Sequence, residues 1–201
     1  MLTQTERQTR RRNMLQLWLL IALFALPPIA AWLFYLNPHW LPVGRTNHGL
    51  LIDPPREVHR LTLQTPEGRP FDWSELQDQW TLVVLAEGRC DAACIEQLIR
   101  LRQIRKALGA NQQRIERLLI LIPDAAGQFD LPNLQGLEGT RLGLAEATDK
   151  SDLLELFSAE QTRLDELTFL IDPRIGLMMM HDLSQTTSKQ ILQDLFRGGL
   201  R

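Results

Sequence analysis

The chain has 201 residues, 44% hydrophobic and 23% charged. That suits one globular domain with its own core and excludes both wholesale disorder and a large multidomain enzyme. Its 22 basic and 24 acidic residues give a formal charge of -2, which argues against a nucleic-acid-binding surface, and its 2 cysteines are too few for a disulfide-dense scaffold or a four-cysteine zinc site.

Residues 1–13 form a basic tip, with Arg7, Arg10, Arg11 and Arg12 set against Glu6 alone. From Met14 to Leu36 no residue is charged. A helix needs roughly 20 apolar residues to cross a ~30 Å hydrocarbon layer, so 14–36 reads as a transmembrane helix, longer than the usual apolar core of a cleaved signal. Pro27 and Pro28 are expected to kink it or interrupt its ladder. Trp18 near one end, and Trp32, Tyr35 and Trp40 near the other, suit the two membrane interfaces. The arginines hold the N-terminus in the cytoplasm, which puts the rest of the chain in the periplasm if the membrane is a bacterial inner membrane. The exported remainder is more acidic than the whole chain, which again speaks against nucleic acid as a partner.

Residues 37–57 carry Pro38, Pro42, Pro54 and Pro55 with Gly44 and Gly49, and read as an extended connector leading into a domain over 58–201. Val58–Leu63 alternates like a strand, Thr65-Pro66-Glu67-Gly68 is a turn, and Arg69–Trp73 reads as the returning strand of a hairpin. Trp80–Ala86 is a short apolar run of the buried-strand type. Ile95, Leu98, Leu101, Ile104 and Leu108 recur at helical spacing and end at Gly109. A second buried strand follows at Arg117–Ile122, then a loop over 124–139 and a weak strand at Arg141–Leu144. A short helix is expected over Asp149–Phe157, strands at Thr168–Ile171 and Leu177–Met180 around an Asp172–Gly176 turn, and a last helix over Thr187–Phe196. A βαβ unit followed by a hairpin and a helix describes an α/β sandwich of the thioredoxin-like class, preceded here by one transmembrane helix.

Both cysteines, Cys90 and Cys94, fall at the turn from the first buried strand into the long helix. Amides at a helix start favour a thiolate, so this placement suits a redox pair. At i and i+4 the two sulfurs share a face if the helix covers both, near enough to bridge or to hold one soft ion. Arg89 favours a Cys90 thiolate and Asp91 opposes it. A plain structural disulfide is the competing reading.

These features resemble the SCO/SenC group: the single N-terminal anchor, the Trp80–Ala86 strand, the Cys90/Cys94 CxxxC and the late run Thr168-Phe169-Leu170-Ile171-Asp172-Pro173. Asn47-His48-Gly49-Leu50-Leu51-Ile52-Asp53-Pro54-Pro55 also resembles SCO-like membrane proteins found alongside cytochrome oxidase genes. The resemblance implies a thioredoxin fold, copper as the metal handled by Cys90 and Cys94, and cytochrome c oxidase subunits or assembly factors of the respiratory chain as partners. The chain departs from the family in three places. No histidine stands near Leu164, where the family's third copper ligand would fall. Asp91 replaces the proline after the first cysteine. Asp165-Glu166-Leu167 stand where active thioredoxins carry a cis-proline.

Met178-Met179-Met180-His181 offers soft ligands, with His181 the lesser metal candidate. Strand alternation would place Met178 and Met180 on one face and Met179 and His181 on the other. His39, His48 and His59 read as interfacial or exposed, and Arg100, Arg102, Arg105 and Lys106 as the solvated face of the long helix. Three functions are carried forward. They are an SCO-like accessory factor acting on copper delivery or client thiols, a broader membrane-tethered thiol–disulfide oxidoreductase, and a non-catalytic scaffold or subunit of a respiratory complex.

Overall fold

The computed structural model describes residues 4–37, 47–157 and 164–197, in two units divided after Thr46. The first unit contains α1, Gln4–Leu36, which continues through Pro27 and Pro28. The stretch Asn13–Leu36 is long and apolar enough to cross a membrane, and its large apolar side chains are exposed, as lipid contact requires.

The second unit is built on the two most apolar runs of the chain. β3 (Trp80–Glu87) is buried up to its last residue, and β4 (Ile115–Ile122) lies parallel to it in unbroken register from Trp80↔Ile115 to Glu87↔Ile122. The crossover is α2, Ala92–Ala107. β5 (Thr140–Ala145) continues the parallel side, followed by α3, Lys150–Phe157. β6 (Leu167–Ile171) and β7 (Gly176–Asp182) form an antiparallel hairpin on the other side of β3, and α4 (Ser188–Arg197) follows. With β1 (Leu50–Glu57) and β2 (Leu63–Gln64), both described below, the sheet order is β1-β7-β6-β3-β4-β5-β2.

Period-two alternation divides the core. Leu82, Val84 and Ala86 of β3 face Leu98, Leu101 and Ile104 of α2 and Ile191 and Leu195 of α4. Val83 and Leu85 face Leu153 and Phe157 of α3, together with Trp73 and Leu76. The domain is therefore an α/β sandwich with helices on both faces of the sheet, as the pattern of elements predicts.

Three local expectations change. The stretch read as a connector, 37–57, ends in a strand of the sheet: β1 pairs antiparallel with β7. Pro54 and Pro55 fall in the gap in register between Leu51 and Arg56, and on an edge strand their missing amides cost no central ladder bond. The expected hairpin over 58–73 is mostly turns: Val58–Arg60 and Trp73–Leu76 are 3-10 turns, only Leu63–Gln64 is strand (β2, antiparallel to β5), and Pro70 makes a single bridge to Gln64. Val58 and Leu61, three residues apart, are both buried, and Leu61's carbonyl accepts from Trp73 Nε1 at 3.0 Å, which folds the segment under the sheet. Finally, β7 carries a bulge. Leu170 pairs with Met179 but Ile171 pairs with Leu177, so Met178 is the extra residue. Met178 and Met179 consequently pack against the α2 side of the sheet and Met180 against the other, in place of strict alternation.

Candidate functional site

β3 ends at Glu87, and Gly88 turns the chain with φ +68, a conformation in which an added Cβ would lie 3.1 Å from Asp124 Cβ. Gly88 N donates to Ile122 O at 2.8 Å and Asp130 N donates to Gly88 O at 2.7 Å, so the strand-to-helix turn is pinned against the loop that follows β4. Asp91 is the N-cap of α2, its Oδ1 accepting from Cys94 N at 3.1 Å. Cys94 is in the first helical turn; Cys90 lies ahead of the helix, which does not cover both. The turn folds Cys90 back onto the helix start, and the two form a disulfide with a Cα–Cα separation of 5.2 Å. Cys94 is 2% exposed and belongs to the α2-side core, whereas Cys90 is half-buried at its margin. A cleft of about 310 Å³ opens against Arg89, the neighbour of Cys90, with Glu87, Asp124, Phe129 and Asp130 also on its walls.

The remaining ligand candidate does not join the cysteines. His181 is fully buried and its Nε2 lies 3.1 Å from Oδ2 of Asp194. Asp194 on α4 is buried too. Its Oδ2 accepts from His48 N at 2.9 Å and Gly49 N at 3.0 Å, and its Oδ1 lies 3.1 Å from His48 Nδ1. Arg197 Nη1 is 3.7 Å from Oδ1. Burial raises the Asp194 pKa, but the hydrogen bonds from Gly49 N, His181, and the ring and amide of His48 outweigh it and hold the carboxyl below its ordinary value. Burial pushes His181 below the ordinary histidine value against the opposing pull of Asp194. His48 is exposed, as expected, but its amide and ring also clasp the buried carboxylate of Asp194, which the sequence did not show. His59 is exposed near Glu57, and His39 lies outside the described residues. Asp194 had a signal in the sequence: it is the one carboxylate inside the apolar stripe of α4, beside Ile191 and Leu195.

The basic face of α2 also differs from expectation. Arg100 donates to Ser188 Oγ at 3.0 Å, to Leu183 O at 3.2 Å and to Thr186 O, tying α2 to the turn before α4. Arg102 and Arg105 donate to Gly136 O and Ile115 O, and Lys106 is exposed. These arginines sit over loop and strand carbonyls because those elements end beneath the helix.

As a donor set for copper, the chain supplies two sulfurs, which ligate only when the disulfide is reduced. Leu164–Glu166 is a 3-10 turn, and Gln97 Nε2 donates to Thr168 Oγ1 at 3.0 Å and to Leu167 O just after it. Among the described residues no group of three or more His, Cys, Asp or Glu is placed to hold a metal, and the only cis peptide bond is Asp53–Pro54, in β1.

A βαβ unit, a β-hairpin and a closing helix, with a cysteine pair at the first strand-to-helix turn, define a thioredoxin-like protein. Residues 80–197 match the family model described as transmembrane-like, thioredoxin-like, C-terminal domain, and the chain belongs to that family. Among solved structures it is similar to apo Sco1 from Thermus thermophilus, with TM-score 0.57 and 16% identity over 75% of this chain and 96% of that one. It is also similar to copper-bound yeast Sco1 (0.54, 12%, 68% and 88%) and to copper-bound Arabidopsis thaliana ScoI (0.54, 10%, 75% and 97%). At these identities the likeness is one of fold. The search of curated proteins returned no match.

Proposed function

We propose that this protein is a membrane-anchored, SCO-like accessory factor for cytochrome c oxidase biogenesis, acting on the thiol redox state of a client through Cys90 and Cys94. The observation that carries the reading is the asymmetry of the disulfide: Cys90 is half-buried, next in sequence to Arg89 on the wall of an open cleft, and Cys94 is 2% exposed. Exchange then has one direction of attack. A client thiolate attacks Cys90 Sγ, the Cys90–Cys94 bond breaks, and the Cys94 thiolate leaves into the helix start, where the first-turn amides and the dipole favour negative charge. A second client thiolate then attacks the client sulfur of the mixed disulfide and releases Cys90. The client dithiol is oxidised to a disulfide, and the protein's disulfide is reduced to two thiols with two electrons and two protons. The reverse sequence reduces a client. The oxidase assignment rests on the likeness to Sco proteins, members of a family of cytochrome c oxidase assembly proteins.

Client thiol chemistry is favoured over copper delivery because His181, the third ligand the sequence offers, is held by Asp194. A periplasmic placement of the anchored domain is supported by the apolar Asn13–Leu36 span and by the arginines that precede that span. A non-catalytic scaffold is the second reading, favoured by Asp91, whose carboxylate occupies the Cys94 amide.

The test is a Cys94→Ser variant expressed in place of the native chain. It leaves Cys90 able to attack a client disulfide but with no partner to resolve the adduct. Mixed disulfides with an oxidase subunit or assembly factor, released by reductant and missing from Cys90→Ser, are expected. No adduct, together with normal oxidase activity and copper content in a deletion strain, overturns the proposal.

A further inference from the structure

β4 turns its odd-numbered residues toward α2, and Arg117 takes one of those places between Ile115 and Leu119. It is 1% exposed, among the largest fully buried side chains of the domain. A buried guanidinium is costly unless an anion compensates it. Its Nη2 donates to the carbonyl of Glu138 at 2.6 Å. Nε and Nη1 of Arg117 are buried with no hydrogen-bond partner among the described residues, and so is Nε of Arg102.

Neither neighbouring carboxylate takes a hydrogen bond from Arg117. Oε1 of Glu138 accepts from Gly136 N at 2.9 Å within its own loop, and Glu116 belongs to the opposite face of β4. More cations gather instead. Arg102 and Arg117 both reach the loop over 133–139, donating to Gly136 O and Glu138 O, while Arg105, one turn from Arg102 on α2, donates to Ile115 O at the start of β4. Burial, and then repulsion from Arg105 and Arg102, disfavours the Arg117 charge, with Glu116 and Glu138 opposing in part. The loop backbone passes close over the cluster: a Cβ added at Gly136 would lie 3.7 Å from Arg102 Nη1, and one at Gly139 would lie 3.6 Å from Arg117 Nη2.

We propose that Arg117, Arg102 and Arg105 form a binding site for a small oxyanion of the phosphate class, enclosed between α2, β4 and the 133–139 loop. An oxyanion supplies the acceptor oxygens that the buried guanidinium nitrogens lack and offsets the excess of positive charge that Glu116 and Glu138 oppose only in part. The near-complete burial of Arg117 restricts the ligand to one small enough to be covered by the loop, which excludes a peptide segment or a nucleic-acid backbone. The site stands apart from the disulfide and does not depend on the reading of its chemistry.

The test uses the full chain in detergent micelles, with inorganic phosphate replacing chloride at constant ionic strength. Saturable binding of one phosphate per chain by calorimetry is expected, with a matching saturable rise in Tm. Arg117→Met should abolish both. Arg102→Gln and Arg105→Gln, at half-buried positions that tolerate substitution better, should each weaken binding roughly tenfold while the far-ultraviolet spectrum stays unchanged. If Arg117→Met does not fold, the other two variants decide. No binding, or a Tm rise that is unsaturable and equal in wild type and variants, as the general exclusion of phosphate from protein surfaces would give, overturns the proposal.

Discussion

The carboxylate of Asp194 accepts the backbone amide of Gly49 at 3.0 Å across 145 positions of sequence, and this joins the start of the first strand to the last helix. The same side chain takes His48 N, His48 Nδ1 and His181 Nε2, so its removal strands several buried or half-buried polar groups at once. Asp194→Ala is expected to lower unfolding stability by about 3 kcal/mol or more, the scale for breaking a buried charged network by removing one partner. Urea denaturation measures it. A loss below about 1 kcal/mol would mean that solvent replaces these bonds freely.

Gly49 lies flat on Met179 and on His181, the latter held by Asp194. A Cβ there would sit 2.7 Å from Met179 Cγ and Sδ and 2.8 Å from His181 Cδ2, closer than side chains approach. Gly49→Ala is expected to destabilise by about 1–3 kcal/mol through overpacking. Met179→Ala costs stability on its own by leaving a cavity, but in the double variant the two effects should compensate partly, with a favourable coupling of about 1 kcal/mol. Strict additivity would show that β1 can move away from β7 without penalty.

Acid should loosen the clasp in two windows, and the sign is the same for both. His181 has its folded pKa below the unfolded value of 6.5, so its contribution is complete above about 6.5 and is lost as pH falls through the folded value. Asp194 has its folded pKa below 3.8, so its contribution is present above 3.8 and is lost as pH falls further. Stability measured by denaturant titration should therefore decline below about pH 6.5, and His181→Gln should flatten that first slope. An unchanged slope in the variant would assign the decline to other groups.

The elements legible in the sequence are those whose burial writes a period. β3, α2, β4, α3, the β6–β7 hairpin and α4 stand within a few residues of where Trp80–Ala86, the Ile95–Leu108 stripe and the later runs place them. β1 was hidden because an edge strand exposes most of its side chains and tolerates Pro54 and Pro55, so it writes neither an alternating pattern nor an apolar run. The site divides in the same way. Cys90 and Cys94 are neighbours in sequence and announce themselves, whereas the partners of Asp194 lie on β1 and β7, and local periodicity carries no information about pairing at that distance. The basic face of α2 misled for a related reason: solvated and carbonyl-bound arginines occupy the same helical positions, and only the tertiary path of the 133–139 loop and the turn before α4 distinguishes them.

If Cys90 and Cys94 exchange as proposed, Asp91 is placed to tune their redox poise. Its Oδ1 takes the Cys94 amide at 3.1 Å, a donor that would otherwise be free to face a thiolate, and its charge stands next to Cys90. Both effects disfavour the reduced, thiolate-bearing state relative to the disulfide. Asp91→Asn keeps an acceptor for the cap while removing the charge, and Asp91→Ala removes both at a cost of about 1 kcal/mol in helix capping. The reduction potential, measured by equilibration with glutathione buffers, should rise in both variants. About 30 mV is expected for the alanine variant, a tenfold shift in the exchange equilibrium, and less for the asparagine variant. Equal potentials in all three proteins would mean that the Cys94 amide does not reach the sulfur of Cys90, and would remove Asp91 from any account of how the pair is tuned.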